Sequence, residues 1–382
     1  MKTSLTLLDK SLHLVRYPEH TQHVSWQAWD AADEYLIEYV ESNIPQYQDK
    51  RIRIYNNDFG ALSCWFAEAA PLYFSDSFVA HKSCLINLAK NKIPLDRLRF
   101  YDSLQQISEP VDLVLIKIPK TSALLEQQLI DLQAVVSTNT QVIAAGKANA
   151  IQKSTLSLFE KYLGVTTTSL ARKKSRLIFC RPSADKKNKS PYPSVWHTES
   201  PRFEISNFAN VFARQQLDIG ARLLLQHLPD AHNRTVIDLG CGNGVLGLHV
   251  LRQYPGAKVL FIDESHMAVA SARHNVLTNM PEKLEQCRFL VNNCLDDFEQ
   301  LSGLENVDMV LCNPPFHQQN TITDHIALQM FNDAKRVLKH HGELHVVGNR
   351  HLDYPAKLKR IFAGYSVLAS DRKFSILSCK KP

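Results

Sequence analysis

The sequence has no apolar run long enough to cross a bilayer, and its N-terminus lacks a basic start followed by an apolar segment and a small-residue cleavage site. We therefore expect a protein of the cytoplasm that neither spans a membrane nor is secreted. There is no Cys-x-x-Cys pair among the eight cysteines and no His-Glu-x-x-His among the sixteen histidines. This argues against a disulfide framework and against a zinc site, so we expect free thiols and no bound metal.

A chain of 382 residues, with 45% apolar and 21% charged residues, has an ordinary globular composition and exceeds the usual size of one hydrophobic core. Pro182, Pro191 and Pro193, with lysines between them, predict a linker at residues 182–195. We therefore expect two domains, residues 1–181 and residues 196–382.

In the second half, short apolar strands alternate with segments of helical periodicity. The predicted strands are 235–239, 258–262, 288–292, 307–312 and 343–348, and the main predicted helices are 267–279 and 326–339. Such alternation predicts an α/β fold with a doubly wound, mostly parallel sheet that is covered on both faces.

The first half repeats this order, with predicted strands at 51–54, 72–75, 111–116 and 141–145. The offset from Asp112 to Lys117 equals that from Asp308 to Asn313. We interpret the two halves as an internal duplication, with a chance likeness between two α/β sheets as the alternative.

The first copy has lost the glycines of the second, and residues 117–120 (Lys-Ile-Pro-Lys) stand where the second copy has Asn-Pro-Pro-Phe. A copy that keeps its strands without the chemistry is expected to be a scaffold or a substrate-binding surface. Lys117 and Lys120 favour a polyanionic partner.

In the second half, the first predicted strand runs into a loop that contains Gly240, Gly242 and Gly244. Glycines allow positive φ and a close approach of backbone to a ligand, and the loop opens toward a helix N-terminus. Ligands of open α/β sheets bind at the carboxyl ends of the strands, where Asp238 could receive an ammonium group and Asp263 the hydroxyls of a ribose. The loop therefore predicts a nucleotide-like cofactor, and a plain tight turn is the alternative.

Two cofactor classes fit this loop. Gly242, Gly244 and Gly247 match the dinucleotide spacing G-x-G-x-x-G, with Asp263 at a suitable distance, which would suit an NAD oxidoreductase. S-adenosylmethionine is favoured because hydride transfer requires neither Asp238, which precedes the glycines, nor the Asn-Pro-Pro-Phe segment. Asn293, at the end of the third strand, is a candidate for binding an adenine amino group, with a turn-forming asparagine as the alternative.

The tetrapeptide Asn313-Pro314-Pro315-Phe316 follows the fourth predicted strand. The Asn313 amide oxygen and the Pro314 carbonyl can accept both N–H groups of an aromatic amine and aim its lone pair at a sulfonium methyl. The prolines stiffen the turn and Phe316 offers a face for stacking. His317 could contact RNA or relay a proton, with a passive position at the rim as the alternative. The segment predicts methyl transfer to an amino group on a planar substrate, with no strong base required.

Basic residues are concentrated before the second half, where residues 151–200 hold ten Lys/Arg against three Asp/Glu. They include Arg172, Lys173, Lys174 and Arg176. Such a cluster can neutralise phosphates of nucleic acid, and a solvated linker is the alternative.

With these motifs, the chain resembles the RsmC/RlmG group of ribosomal RNA guanine-N2 methyltransferases over nearly its whole length. The segments closest to the large-subunit branch of that group are 26–36, 124–129, 279–282, 313–319 and 349–354. The resemblance implies two tandem Rossmann-like class I methyltransferase domains, of which the N-terminal one is degenerate and only the second binds S-adenosylmethionine. It implies methylation of N2 of a guanine in 23S ribosomal RNA.

By the same resemblance, Asp238, Gly240, Gly242 and Gly244 hold the methionine end of the cofactor, and Asp263 holds the ribose. Residues 313–316 hold the guanine, while the first half helps to recognise RNA. The implied partner is large-subunit ribosomal RNA, free or in an assembly intermediate.

The tetrapeptide alone leaves other substrates open, namely 16S ribosomal RNA, DNA adenine and the glutamine of release factors. DNA enzymes usually carry a separate base-reading domain, and the glutamine enzymes should lack a degenerate first half with a basic linker. An RNA-binding assembly protein with a fossil cofactor site is the non-enzymatic alternative. The intact glycine loop and Asn313 argue against it.

Overall fold

A computed structural model describes residues 2–19, 26–315 and 321–382, with no side chains described for residues 321–324. The chain divides into two compact units, Met1–Tyr192 and Pro193–Pro382.

The first unit combines a small hairpin with one large sheet flanked by helices. Its strands are β1 (Ser4–Leu7), β2 (Lys10–His13), β3 (Ile52–Tyr55), β4 (Leu72–Ser75), β5 (Arg99–Asp102), β6 (Leu113–Lys117), β7 (Gln141–Lys147), β8 (Gly164–Thr168) and β9 (Ser175–Pro182). Its helices are α1 (Ala31–Asn43), α2 (Ala61–Trp65), α3 (Phe78–Lys90), α4 (Ser122–Leu132) and α5 (Lys153–Tyr162). The large sheet has the order β5-β4-β3-β6-β7-β9-β8.

The second unit has the same plan. Its strands are β10 (Ser194–His197), β11 (Glu204–Asn207), β12 (Thr235–Leu239), β13 (Lys258–Asp263), β14 (Cys287–Val291), β15 (Val307–Cys312), β16 (Leu338–Asn349), β17 (Ser366–Ser370) and β18 (Phe374–Lys380). Its helices are α6 (Ile219–Gln226), α7 (Val245–Gln253), α8 (His266–Asn279), α9 (Phe298–Ser302), α10 (Thr321–Val337) and α11 (Tyr354–Phe362). The large sheet has the order β14-β13-β12-β15-β16-β18-β17.

Both large sheets follow one topology. Counted within each sheet, the strands run third, second, first, fourth, fifth, seventh, sixth, and the seventh is antiparallel to both of its neighbours. The first five strands of each sheet are parallel. The predicted fold class, two doubly wound and mostly parallel α/β sheets, is confirmed.

The strands of the second sheet are apolar on both faces because helices cover both. Val236, Val259 and Met309 face the core beneath α6, α7 and α8. Ile237 and Val310, one residue further along, face the core beneath α10 and α11. This alternation follows from the two-residue period of a strand.

Most predicted strands differ from the observed ones by one or two residues at either end, but β16 begins well before the predicted position 343. Leu338 is fully buried and pairs with Val307, ahead of a register shift after which Met309 pairs with Glu343. The shift interrupts the regular alternation from which a strand start is predicted.

The segment predicted as a linker is divided between the two units. The Asn188 backbone N–H donates to Gln133 Oε1 at 2.8 Å, and the Tyr192 hydroxyl donates to Glu126 Oε2 at 2.6 Å, both within the first unit. Residues from Ser194 onward form β10, which pairs with β11 in the second unit.

In the second sheet the order reverses between β12 and β15, and the carboxyl ends of these neighbouring strands border the crevice where open α/β sheets bind ligands. None of the helices in the described ranges is long and apolar enough to span a membrane.

Candidate active site

The glycine loop connects β12 to α7 and needs a backbone that other residues rarely adopt. Gly240, Gly242 and Gly244 have φ values of +71°, +53° and +78°. The N–H groups of Gly240 and Cys241 both donate to the Ile262 carbonyl, at 2.8 and 3.0 Å. The loop is therefore pinned against the end of β13.

These glycines differ in what surrounds them. A Cβ on Gly242 would meet no atom within 4 Å, whereas one on Gly244 would lie 2.8 Å from Ala272 Cβ. A Cβ on Gly247 would lie 2.2 Å from the Phe261 ring. Gly244 and Gly247 thus allow close packing, while Gly242 borders open space at the carboxyl edge of the sheet, where a ligand could approach the backbone.

Two carboxylates flank this loop. Asp238 is 1% exposed, and its Oδ2 accepts from the Gly247 N–H at 3.0 Å. Burial raises the pKa of Asp238 to about 7, and the nearby charge of Asp263 acts in the same direction. Asp263 Oδ2 accepts from the Gly242 N–H at 3.0 Å, and its Oδ1 accepts from the Ser265 N–H at 3.0 Å.

A network of buried asparagines that the sequence analysis did not identify holds the glycine loop at Asn243. Asn275 Nδ2 donates to the Asn243 carbonyl at 2.9 Å, and Asn243 Nδ2 donates to Asn207 Oδ1 at 2.9 Å. Asn275 lies on α8 with no motif around it, so only the folded structure reveals its part in holding the loop.

Asn293 lies in a turn directly after β14. Its Nδ2 donates to Asp296 Oδ2 at 2.8 Å, and its carbonyl accepts from the Asp296 N–H at 3.1 Å. Both hydrogen bonds stabilise the turn, so they are consistent with the turn-forming alternative for Asn293. Its contact with an adenine stays a prediction.

Asn313 follows β15 and lies beside the glycine loop. Leu239 pairs with Cys312 across the parallel strands, so Gly240 and Asn313 leave the sheet at the same edge. Pro314 is buried and Pro315 is exposed. The predicted contributions of Phe316 and His317 fall on residues outside the described ranges.

The Asn313 carboxamide is held by a partner that the sequence analysis had not assigned a role. Its Nδ2 donates to Asp218 Oδ2 at 3.2 Å. Its Oδ1 is buried and accepts no hydrogen bond from any described residue. Asp218 directly precedes the apolar helix α6, which is a signal for a helix cap. Nothing in the sequence pattern indicates its contact with Asn313.

Lys117 differs from the expected position at the mouth of a binding surface. It is 9% exposed, and its Nζ lies 2.6 Å from Asp30 Oδ1 and 2.9 Å from Asp33 Oδ1. Burial alone would lower the pKa of Lys117, but the two carboxylates raise it above its usual value. Because this ammonium is already paired with two carboxylates inside the first unit, we do not propose Lys117 as an RNA contact.

The other predicted RNA contacts have varied surroundings. Lys120 and Lys174 are exposed. Arg172 forms an ion pair with Glu38, and Lys173 Nζ lies 2.7 Å from Glu34 Oε2, with the basic side chain more than half exposed in both pairs. Arg176 is half-buried.

The eight cysteines are free. Across the part of the chain that the structure describes, no group of three or more His, Cys, Asp or Glu side chains is placed to hold a metal ion.

Comparison with known proteins covers both units. The family model of the RLMG N-terminal domain matches residues 2–184, and that of the methyltransferase small domain matches residues 202–378. The ribosomal RNA large subunit methyltransferase G of Pseudoalteromonas atlantica is 66% identical, with 100% of both chains covered. Its counterpart from Aeromonas salmonicida is 54% identical, over 98% of this chain and 99% of the relative.

Among solved structures, the T. thermophilus 16S rRNA N2 methyltransferase RsmC, in complex with AdoMet and guanosine, matches with a TM-score of 0.77 at 18% identity. The match covers 100% of this chain and 98% of that one. At this identity, the likeness shows a shared fold.

Proposed function

The chain belongs to the ribosomal RNA large subunit methyltransferase G family, and on that premise we propose its reaction and the residues that perform it. The enzyme transfers one methyl group from S-adenosylmethionine to the exocyclic N2 of a guanine in 23S ribosomal RNA. The products are N2-methylguanosine and S-adenosylhomocysteine.

The observation that carries the residue assignment is the buried Asn313 Oδ1, which has no partner among the described residues and lies beside the glycine loop. A buried amide oxygen without a hydrogen bond is unfavourable, so it is ready to accept one from a substrate N–H. The exocyclic amino group of guanine supplies such a donor.

The residues around the loop fit S-adenosylmethionine. Gly242 leaves its Cβ position open, the buried Asp238 would hold the ammonium, and Asp263 would hold the ribose. When bound, S-adenosylmethionine supplies an electrophilic methyl group on a sulfonium.

The chain's own part in the reaction is to orient the amine. Asn313 Oδ1 and the Pro314 carbonyl accept the two N–H groups of N2, which draws its lone pair out of conjugation with the ring. Proline at 314 and 315 restricts φ at both positions and holds the acceptors in place. Catalysis is then mainly positioning, which requires no strong base.

We assign RNA recognition to the first unit. It lacks the glycine loop, and its exposed Lys120 and Lys174 could neutralise phosphates. We further propose that the enzyme works in the cytoplasm without a metal, on ribosomal RNA or on an assembly intermediate of the large subunit.

The test uses labelled S-adenosylmethionine with ribosomal RNA from cells that lack the enzyme, followed by digestion to nucleosides. We expect label in N2-methylguanosine from 23S RNA, and about a 100-fold lower rate for Asn313→Ala because one acceptor of the reacting amine is removed. Asn332→Ala, which changes an exposed asparagine of α10, is the matched control and should keep the wild-type rate.

Other outcomes would replace the proposal. Label in 16S RNA would indicate the small-subunit substrate, and label in adenine or in protein would indicate a different amine. No label from naked RNA or from large-subunit particles would indicate an assembly protein with a fossil cofactor site. An unchanged rate for Asn313→Ala would remove Asn313 from the mechanism.

A further inference from the structure

We propose that Asp218 is a positioning residue that fixes the orientation of the Asn313 carboxamide for methyl transfer. The inference rests on the function proposed above, because it concerns how the amide is presented to the amino group of the substrate.

Asp218 Oδ2 serves two donors from distant parts of the second unit. It accepts from the Ala221 N–H at 2.9 Å, which caps α6, and from Asn313 Nδ2 at 3.2 Å. A carboxylate can only accept hydrogen bonds, so only the nitrogen of the Asn313 amide can face it. Asp218 therefore selects one of the two orientations of that amide.

The selected orientation is the one that the chemistry needs. With Nδ2 bound to Asp218, Oδ1 is left buried and without a partner among the described residues, ready to accept from the guanine amino group. The opposite orientation would turn the N–H donors of the amide toward the N–H donors of the substrate. The reacting nitrogen would then have one hydrogen bond fewer.

The surroundings of Asp218 leave room for this arrangement. Gly220 has no side chain, and a Cβ there would lie 3.1 Å from Asp218 Oδ2 and 3.4 Å from Val347 Cγ2. Any larger residue would crowd the oxygen that both donors share. Gly220 therefore lets α6 lie close to Val347 of β16 and Phe374 of β18 while Asp218 Oδ2 stays open to both donors.

The first unit contains the same contact with different partners. Asp30 caps α1, the helix before the first strand of that sheet, and Lys117 Nζ lies 2.6 Å from it at the end of the fourth strand. In the second unit, Asp218 caps the helix before the first strand and binds Asn313 after the fourth. The duplicated fold thus brings a cap aspartate to the fourth strand, and the catalytic copy uses it to hold an amide.

Three variants separate positioning from helix capping. Asp218→Asn keeps both a cap and an acceptor, Asp218→Ser keeps a cap but is too short to reach Asn313, and Asp218→Ala keeps neither. The measurements are kcat and KM for ribosomal RNA, the Kd of S-adenosylmethionine and the Tm of each variant.

We expect kcat of Asp218→Asn to stay within about threefold of wild type, because the Ala221 N–H holds the oxygen of the new amide at the position that Asn313 Nδ2 also meets. We expect kcat of Asp218→Ser to fall roughly 10- to 100-fold because the Asn313 amide loses its orientation. The Kd of S-adenosylmethionine should change less than about twofold in all three, and only Asp218→Ala should lower Tm clearly. The double variant Asp218→Ser with Asn313→Ala should be no slower than Asn313→Ala alone.

The inference is overturned if Asp218→Ser keeps the wild-type kcat, or if kcat follows Tm across the series, because Asp218 would then be a helix cap only. Asn313→Ala in the same assay distinguishes a failure of the positioning role of Asp218 from a failure of the proposed role of Asn313. If it is inactive while Asp218→Ser is fully active, only the positioning role fails. If it is fully active, the proposed role of Asn313 fails and the positioning role fails with it.

Discussion

The Gly242 N–H donates to Asp263 Oδ2 at 3.0 Å, so the glycine loop and the end of the neighbouring strand form one rim of the proposed cofactor site. The loop follows β12 and Asp263 ends β13, and these parallel strands end at the same edge of the sheet. This geometry makes the loop sensitive to substitutions that fill the space beside Gly242.

Gly242→Ala should weaken the binding of S-adenosylmethionine at least about tenfold, because its Cβ would occupy open space at the rim and φ at this position is +53°. The strain of a non-glycine residue there, roughly 1–2 kcal/mol, should leave the protein folded. Isothermal titration calorimetry and thermal unfolding measure the two effects.

Gly247→Ala is the matched control for this prediction. Its Cβ would lie 2.2 Å from the buried Phe261 ring, so the helix must shift and Tm should fall more than for Gly242→Ala. If Gly242→Ala binds the cofactor as tightly as wild type, the site lies elsewhere.

Binding of S-adenosylmethionine should weaken as the pH falls below about 7, because burial raises the pKa of Asp238 to about 7 and a protonated carboxyl cannot pair with an ammonium. The expected slope is about tenfold in Kd per pH unit. Titration calorimetry from pH 5.5 to 8.5 measures it. Asp238→Asn should bind weakly with a flat profile, and a sloped profile in this variant would assign the titration to another group.

The raised pKa of Asp238 also predicts that, in the absence of cofactor, Asp238→Asn is more stable toward unfolding than wild type. The folded-state pKa lies above the unfolded one, so the contribution of Asp238 to stability is fully present below about pH 4 and is lost as the pH rises toward about 7. The amide has the shape of the protonated acid and avoids this loss. At pH 8 the Tm of Asp238→Asn should exceed that of wild type by roughly 2–4 °C for each kcal/mol of unfolding free energy that the ionised Asp238 costs the wild type. Equal Tm values at pH 8 would contradict the burial argument.

Lys117→Ala should destabilise the first unit by about 3–5 kcal/mol, because it leaves the buried Asp33 and its neighbour Asp30 without the ammonium that pairs with both. Lys120→Ala, three positions further along on the surface, should change stability by less than about 0.5 kcal/mol. Urea unfolding measures both. A Lys117→Ala variant as stable as Lys120→Ala would show that the buried cluster adds nothing to the fold.

Replacing Arg172, Lys173 and Lys174 together by alanine should weaken ribosomal RNA binding and lower the salt slope of log K by up to about 0.7 for each phosphate that is no longer neutralised. Filter binding between about 50 and 200 mM salt measures this. The control replaces Lys90, Lys92 and Lys153, three exposed lysines elsewhere in the first unit. An equally weakened control would point to net charge rather than to a defined surface.

The sequence predicted the strands and their alternation with helices well, because burial on both faces makes short strands such as β12 and β15 mostly apolar. The glycine loop was recognisable because positive φ at three alternating positions requires glycine. The surroundings of single charged residues were not predictable. Lys117 forms ion pairs with aspartates that lie 84 and 87 residues earlier in the sequence, and Asp218 accepts a hydrogen bond from Asn313, 95 residues later. Such contacts depend on packing rather than on local pattern.

The cluster of Lys117, Asp30 and Asp33 has an evolutionary consequence. Replacing Lys117 by asparagine alone would leave the buried Asp33 carboxylate and the half-exposed Asp30 carboxylate side by side without an ammonium between them. The ion cluster therefore opposes a single mutation of Lys117 to the asparagine that stands at the matching position, 313, of the second unit.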